Sequence, residues 1–200
     1  RDALYDAFRR KETFATSGPR MRARFFAGTD YSDDIMAAES MIEKAFAGGV
    51  PMGSDLVTGG QAPSFIAWAS ADPRGTALQR LQIVKGWEKN GETYEAVYDV
   101  ACSDGLLPDP ETHRCPDNGA KVNLADCSIT QGVGATELKA LWQDPDYDSD
   151  SRAFYYLRAL ENPTCRWSSW DALRAGSRPN PALQATIQER VWSSPIWLEH

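Results

Sequence analysis

The sequence predicts a mainly β fold: an antiparallel β-sandwich with an N-terminal helix remnant and one or two short helical insertions. Three observations carry that prediction. First, residues 78–102 form two alternating runs around Asn90-Gly91: Leu81, Ile83 and Trp87 alternate with Gln82 and Glu88, and Tyr94, Ala96, Tyr98 and Val100 with Glu95 and Asp99. Period-two alternation buries one face of a strand and wets the other. Asn-Gly is the pair that a type I′ hairpin favours, because both central residues need positive φ. Second, strand-like runs recur from Arg22 to Trp197, separated by Gly, Pro, Asn and Asp, as in a sandwich rather than in βαβ units. Third, 42% of the 200 residues are hydrophobic and 24% charged, which allows a sizeable core, and no apolar run approaches the roughly 18 residues of a spanning helix.

Each element has its own signal. Leu4, Tyr5 and Phe8 lie at i, i+1 and i+4 on one helix face, closed by Arg9, Arg10, Lys11 and Glu12. "TFAT" is a short strand that Gly18-Pro19 stops, and Arg22 to Ala27 is the next strand. Ser32 is placed as an N-cap before Asp33 and Asp34. Ile35, Ala38, Met41, Ile42, Ala45 and Phe46 then predict an amphipathic helix over 33–46 lying on the sheet, with Glu39 and Glu43 exposed and Gly48-Gly49 as its end. The Gly-rich stretch 48–63 has neither a G-x-G-x-x-G nor a P-loop lysine and reads as a loop. "SFIAWAS", "TELKALW" and "RAFYYLRAL" read as strands, "SSWDALRAG" as a short helix capped by Ser168 or Ser169 and stopped by Gly176, and "ATIQERVWSSPIW" as a last strand. Leu198-Glu199-His200 resembles the start of a vector-encoded tag and is expected to lie outside the fold.

Residues 103–134 form a long loop-like excursion, which in a compact domain wants an anchor. Cys102, Cys115 and Cys127 bracket it, and Cys165 lies further on. These spacings lack the close pairs of a zinc site. Two disulfides are expected instead, and with them an oxidising compartment, periplasm or cell envelope; four reduced thiols would instead place the protein in the cytoplasm. Two pairings fit: Cys102–Cys115 with Cys127–Cys165, or Cys102–Cys127 with Cys115–Cys165. The first needs the shorter closures, and loop entropy rises with length.

Chemistry-bearing motifs are sparse. A net charge of −7 excludes a general nucleic-acid binder, which needs a basic face. Asp144, Asp146, Asp148 and Asp150 alternate, as oxygen ligands of calcium do, and Asp144, Asp146 and Asp148 are the calcium candidates. But no Gly stands at the sixth position and Tyr155 stands at the twelfth, so a solvated Asx turn is the competing reading. Setting His200 aside as tag, His113 is the one histidine, so no His-based metal centre forms within this chain and no cofactor is expected in it. Trp68, Trp87, Trp142, Trp167, Trp170, Trp192 and Trp197 would bind carbohydrate if they lay in an exposed row; most fall on strand-like alternating positions, where core packing is the plain explanation.

The stretches "RDALYDAFRRKETFATSGPRMRARFFAG", "LQRLQIVKGW", "VYDVACSDG", "DPDYDSDSRAFYYLRALENPTCRW" and "ATIQERVWSSPIW" together resemble the C-terminal part of a bacterial family catalogued as DUF3604, a domain of unknown function. That family resembles the metal-dependent phosphoesterases of the polymerase-and-histidinol-phosphatase (PHP) superfamily. The resemblance implies an N-terminal distorted β/α barrel whose His and Asp residues hold several divalent metals. Residues 1–20 would then be the C-terminal edge of that barrel, residues 21–197 a β-sandwich-like domain, and residues 198–200 tag. It further implies a non-catalytic β-domain whose partner is its own N-terminal catalytic domain, in a protein that is exported. The "TSGPR" turn would present Ser17 and Arg20 to a phosphate, since the planar guanidinium gives bidentate hydrogen bonds; a structural arginine at a strand start is the alternative. An independent module binding carbohydrate or a protein is the competing function.

Overall fold

In the computed structural model, which describes residues 1–199, the chain opens with α1 (Asp2–Arg9), β1 (Phe14–Thr16) and β2 (Arg22–Gly28). A 3-10 turn (Ile35–Ala37) and α2 (Met41–Ala47) follow, then β3 (Val50–Pro51), β4 (Asp55–Val57) and β5 (Ser64–Ser70). The long hairpin β6 (Leu78–Lys89) and β7 (Glu92–Cys102) turns at Asn90 and Gly91, whose φ values of 56° and 81° are those the Asn-Gly signal demands. After it come β8 (Val122–Asn123), β9 (Ser128–Ile129), β10 (Glu137–Gln143) and β11 (Arg152–Glu161). The chain ends in β12 (Thr164–Cys165), α3 (Trp167–Arg174), β13 (Thr186–Ile187), β14 (Arg190–Ser193) and β15 (Ile196–Glu199).

The fold is mainly β, built of antiparallel sheets. In the larger sheet β11 is the hub: β6 lies along one side with β7 beyond it, while β14 and β15 share the other side. β1 adds to β14, and β4 adds to β15 in a parallel pairing. The second sheet runs β10-β5-β2-β3. The two sheets face each other across a core of Phe25, Phe65, Leu138, Leu81, Ile83, Tyr155, Leu157, Val191 and Ile196. Phe65 and Tyr155 meet across it, ring centroids 4.5 Å apart. Complete burial of side chains of this size stabilises by roughly 1.5–3 kcal/mol each.

The outer face of the second sheet is covered as well, and this explains why "SFIAWAS" is apolar without alternation. Phe26 and Ile66 point outward and pack against Ile35, Met41 and Ala45. The cover is not one helix over 33–46. Ala38 is extended (φ −73°, ψ 134°), so a 3-10 turn and a separate α2 replace the predicted helix. The break lets Ile35 and Met41 reach the same sheet face. Ile35 and Ala45 are buried, Ala38 and Ile42 half-buried, and Glu39 and Glu43 exposed. Gly48 and Gly49 serve space rather than a left-handed cap, since Gly48 has φ −101°. A Cβ on Gly49 would collide with the Ala27 carbonyl and the Tyr31 hydroxyl. That hydroxyl donates to the Ala45 carbonyl at 2.8 Å, and burial raises its pKa.

Other expectations need correction. The Gly-rich stretch 48–63 contains β3 and β4 rather than loop alone. The cap of α3 is Arg166, and Ser168 and Ser169 lie in its first turn, where the Ser169 hydroxyl donates to the Ala185 carbonyl at 2.8 Å. The last strand is three pieces, because Pro195 carries no N–H for the ladder and separates β14 from β15. Leu198 and Glu199 are not outside the fold: they belong to β15, pair with Leu56 and Val57, and Leu198 is buried. His200 lies outside the described residues. The excursion carries the small hairpin β8–β9 and is tied by Cys102–Cys115 and Cys127–Cys165, each with Cα atoms 5.6 Å apart.

Candidate functional site

The "TSGPR" turn lies where β1 meets β14. Ser17 accepts from the Arg190 N–H at 2.9 Å, its own N–H donates to the Arg190 carbonyl at 3.0 Å, and its hydroxyl donates to Glu189. Three residues on, the Arg20 N–H donates to Asp72 Oδ2 at 2.7 Å, and the Arg74 N–H to Oδ1 at 2.9 Å. These two backbone donors, Arg20 first, hold the Asp72 carboxyl below its usual range. The Arg20 side chain is exposed. Ser17 and Arg20 therefore sit on one rim, but Ser17 has its hydroxyl engaged within the protein while Arg20 presents its guanidinium to solvent.

A third carboxyl stands between them. Glu161, the last residue of β11, is only 1% exposed, and its Oε1 has no hydrogen-bond partner among the described residues. Burial first, then the charges of Glu189 and Asp72, push its pKa from 4.5 to about 7, against a backbone hydrogen bond from Thr76. The folded value is raised, so the contribution to stability is complete below about pH 4.5 and is lost as pH rises through about 7. Thermal unfolding followed by calorimetry should therefore show wild-type stability falling between pH 5 and pH 8. Glu161→Gln should flatten that fall and gain on the order of 2–3 kcal/mol over wild type at pH 8. An unchanged pH profile in the variant would show that Glu161 is ionised in the fold without cost.

Beyond the rim a cleft of about 580 Å³ opens between the start of β6, the 115–120 segment and the 184–190 segment. Its lining includes Gln79, Arg80, Asp117, Arg166, Gln188 and Arg190. The floor is tied together: Gln188 Nε2 donates to Gln79 Oε1 at 2.8 Å and to the Glu161 carbonyl at 2.9 Å, and Gln79 Nε2 donates to Asn118 Oδ1 at 2.9 Å. The disulfides stand beside it, Cys115 in the lining and Cys165 next to Arg166. Sequence reasoning missed this cleft, because its arginines come from distant stretches.

The calcium candidates face different partners. Asp144 Oδ2 pairs with Lys85 Nζ at 2.6 Å and accepts from the Tyr155 hydroxyl at 2.6 Å. Asp146 accepts from the Tyr98 hydroxyl at 2.9 Å, and Asp148 pairs with Lys89 at 2.8 Å. The Lys89 hydrogen bond is the first cause of a lowered Asp148 pKa, while burial leads in raising those of Tyr98 and Tyr155. Asp150 donates its N–H to Asp148 Oδ1 at 3.0 Å and Asp146 its own to Asp144 Oδ1 at 2.9 Å, the pattern of Asx turns. Among the described residues no group of three or more His, Cys, Asp or Glu side chains is placed to hold a metal ion. His113 packs against Tyr98, centroids 5.1 Å apart, at the edge of β7.

Fold and site together define a disulfide-tied, two-sheet β protein with a polar, arginine-lined cleft. The chain belongs to the DUF3604 family, a family of proteins of unknown function whose profile matches residues 1–200. No curated protein and no solved structure matches it.

Proposed function

We propose that this chain is the non-catalytic C-terminal β-domain of a PHP-like metal-dependent hydrolase, docked through α1 and the "TSGPR" rim onto an N-terminal catalytic barrel. The observation that carries this reading is the apolar face of α1. Leu4, Tyr5 and Phe8 are 68%, 62% and 69% exposed, and the helix buries no residue against the sandwich. An eight-residue helix is marginal on its own in water, and an apolar face of this kind is stable when another surface covers it. The occupant that fits is the barrel that the family resemblance implies. In this reading the barrel would hold the divalent ions, and no reaction step is assigned to the residues here. Arg20, which is exposed, would be the residue that contacts a phosphate. The paired cysteines fit an exported protein, and no described helix is long and apolar enough to cross a membrane.

The test compares this chain with a longer form that includes the barrel, using p-nitrophenyl phosphate with Mn²⁺ or Zn²⁺. Turnover is expected from the longer form alone, and Leu4→Asp with Phe8→Asp in it should release the β-domain to limited proteolysis. Metal-stimulated turnover by residues 1–200 alone would refute the assignment.

A second reading, a carbohydrate-binding module, is favoured by one feature. Trp197 is 43% exposed and packs beside Phe154, centroids 4.7 Å apart, over Gly86, where a Cβ would run into the Phe154 ring. With Glu95 and Arg152 they line a groove of about 730 Å³. Glycan-array binding that Trp197→Ala abolishes would establish this reading.

A further inference from the structure

We propose that the arginine-lined cleft is a binding site for a small phosphomonoester, an inference independent of the reading above. Three guanidinium groups, Arg80, Arg166 and Arg190, line one cavity of a protein whose net charge is −7. Such a gathering of like charges is unfavourable unless an anion compensates it. The local carboxylates do so only in part. Asp117 is the acidic residue of the lining. Asp99 lies 3.8 Å from Arg80, but it is shared with Arg114 at 3.7 Å and also accepts from Gln82 and from the Cys115 N–H. Arg190 donates to the Gln188 carbonyl at 3.3 Å, and Arg80 to Gln188 Oε1 at 3.4 Å, both long contacts. The Arg166 side chain has no hydrogen-bond or ion-pair partner among the described residues.

Two buried donors are left over. Nε of Arg80 and Nε of Arg166 are both shielded from solvent and without a hydrogen-bond partner among the described residues. A buried N–H with no acceptor costs free energy that a bound oxyanion would recover. The guanidinium fork matches the spacing of phosphate oxygens. Two unpartnered Nε donors on separate guanidinium groups favour a phosphomonoester, with three terminal oxygens and nearly two negative charges above its second pKa near 6, over a monocarboxylate, with Glu161 and Glu189 as the further carboxylates beside the cleft. The cleft is too large for phosphate alone, and the remaining wall offers Asp117 and Gln184 as hydrogen-bonding groups for a hydroxylated body. Because Gln79 and Gln188 are already locked to each other and to Asn118, the site is organised before the ligand arrives, which lowers the ordering cost of binding.

The experiment is isothermal titration of residues 1–200 at pH 8, in buffer free of phosphate and sulfate, with glucose 6-phosphate, inorganic phosphate and glucuronate as probes. Glucose 6-phosphate is expected to bind at least about tenfold tighter than glucuronate. Arg166→Gln should weaken it about tenfold, and the exposed Arg174→Gln on α3 should not change it. In case Arg166→Gln disturbs the 184–190 wall, the unmodified protein supplies a second readout: the Nε–H resonances of Arg80 and Arg166 should shift on titration with glucose 6-phosphate. No binding of either phosphate at 10 mM, equal affinity for glucuronate, or Arg Nε–H signals that stay in place would each overturn the proposal.

Discussion

Replacing Lys85 by Met is expected to lower the stability of the fold by about 3–5 kcal/mol, the cost of leaving a buried charge without its partner. Lys85 lies in the middle of β6 with its side chain 4% exposed, and Asp144 is 0% exposed. Its ammonium sits 2.6 Å from Asp144 Oδ2 and donates to the Asp146 carbonyl at 2.7 Å. It also lies 5.0 Å from the centre of the Trp87 ring. Without it, Asp144 keeps the Tyr155 hydroxyl and the Asp146 N–H, two donors but no countercharge. Methionine fills much of the lysine stem's volume, so the loss reports charge rather than a cavity. Asp144→Asn combined with Lys85→Met removes both charges. That double variant should be less destabilised than the sum of the singles, because the coupling between them is what is lost. Urea denaturation measures all three. A single-variant loss under about 1 kcal/mol would mean that the pair contributes no more than an exposed ion pair does.

Lys85 also marks the limit of what the sequence makes legible. The hairpin could be read because its turn signal is local: Asn90 and Gly91 fix the turn. The alternation does not fix its faces: Gln82 and Asp99, expected to be wet, are buried and bonded to each other at 2.6 Å beside a register shift at Leu81/Gln82, and Tyr94, expected in the core, is exposed. The strands β2, β5, β10 and β11 could be read because each is a short run rich in strand-forming residues, β5 without any alternation. Lys85 stands in the run Ile83-Val84-Lys85-Gly86-Trp87, and a charge inside an apolar run hints at a buried partner, but which one is decided by the register of a different part of the chain. The same applies to Asp144, Asp146 and Asp148. Their alternation suggests calcium ligands, whereas each carboxylate turns to its own lysine or tyrosine on β6, β7 or β11. β4 and β15 were missed as a pair because three and four residues are too few to show a period, and the candidate cleft because Arg80, Arg166 and Arg190 are distant in sequence and line one cavity only in the folded chain.

Removing the Cys127–Cys165 disulfide is the second large effect, and it should exceed the effect of removing Cys102–Cys115. The two bridges close segments with separations of 38 and 13 residues. The chain-entropy relation then gives about 4 kcal/mol for the longer loop and about 3 kcal/mol for the shorter one. The folded state offers little to offset either loss. Ser103 and Cys127 are the buried positions of the described excursion 103–134, and β8–β9 is a two-residue pairing, so the excursion makes almost no core of its own. Cys165 belongs to β12, which pairs only with the short β13, and Arg166 next to it caps α3 and lines the cleft. Cys127→Ala with Cys165→Ala should thus loosen the excursion, α3 and the wall bearing Arg166 together. Cys102→Ala with Cys115→Ala acts differently, since the Asp109–Cys115 stretch stays docked on β7 through Asp99, which bonds the His113 carbonyl and the Cys115 N–H. Guanidinium denaturation of the two paired variants gives the ranking, and hydrogen exchange gives the location, with protection lost over 119–131 and 164–175 in the first variant alone. Equal losses, or a larger loss from the shorter loop, would show that native contacts rather than loop entropy set the worth of these bridges.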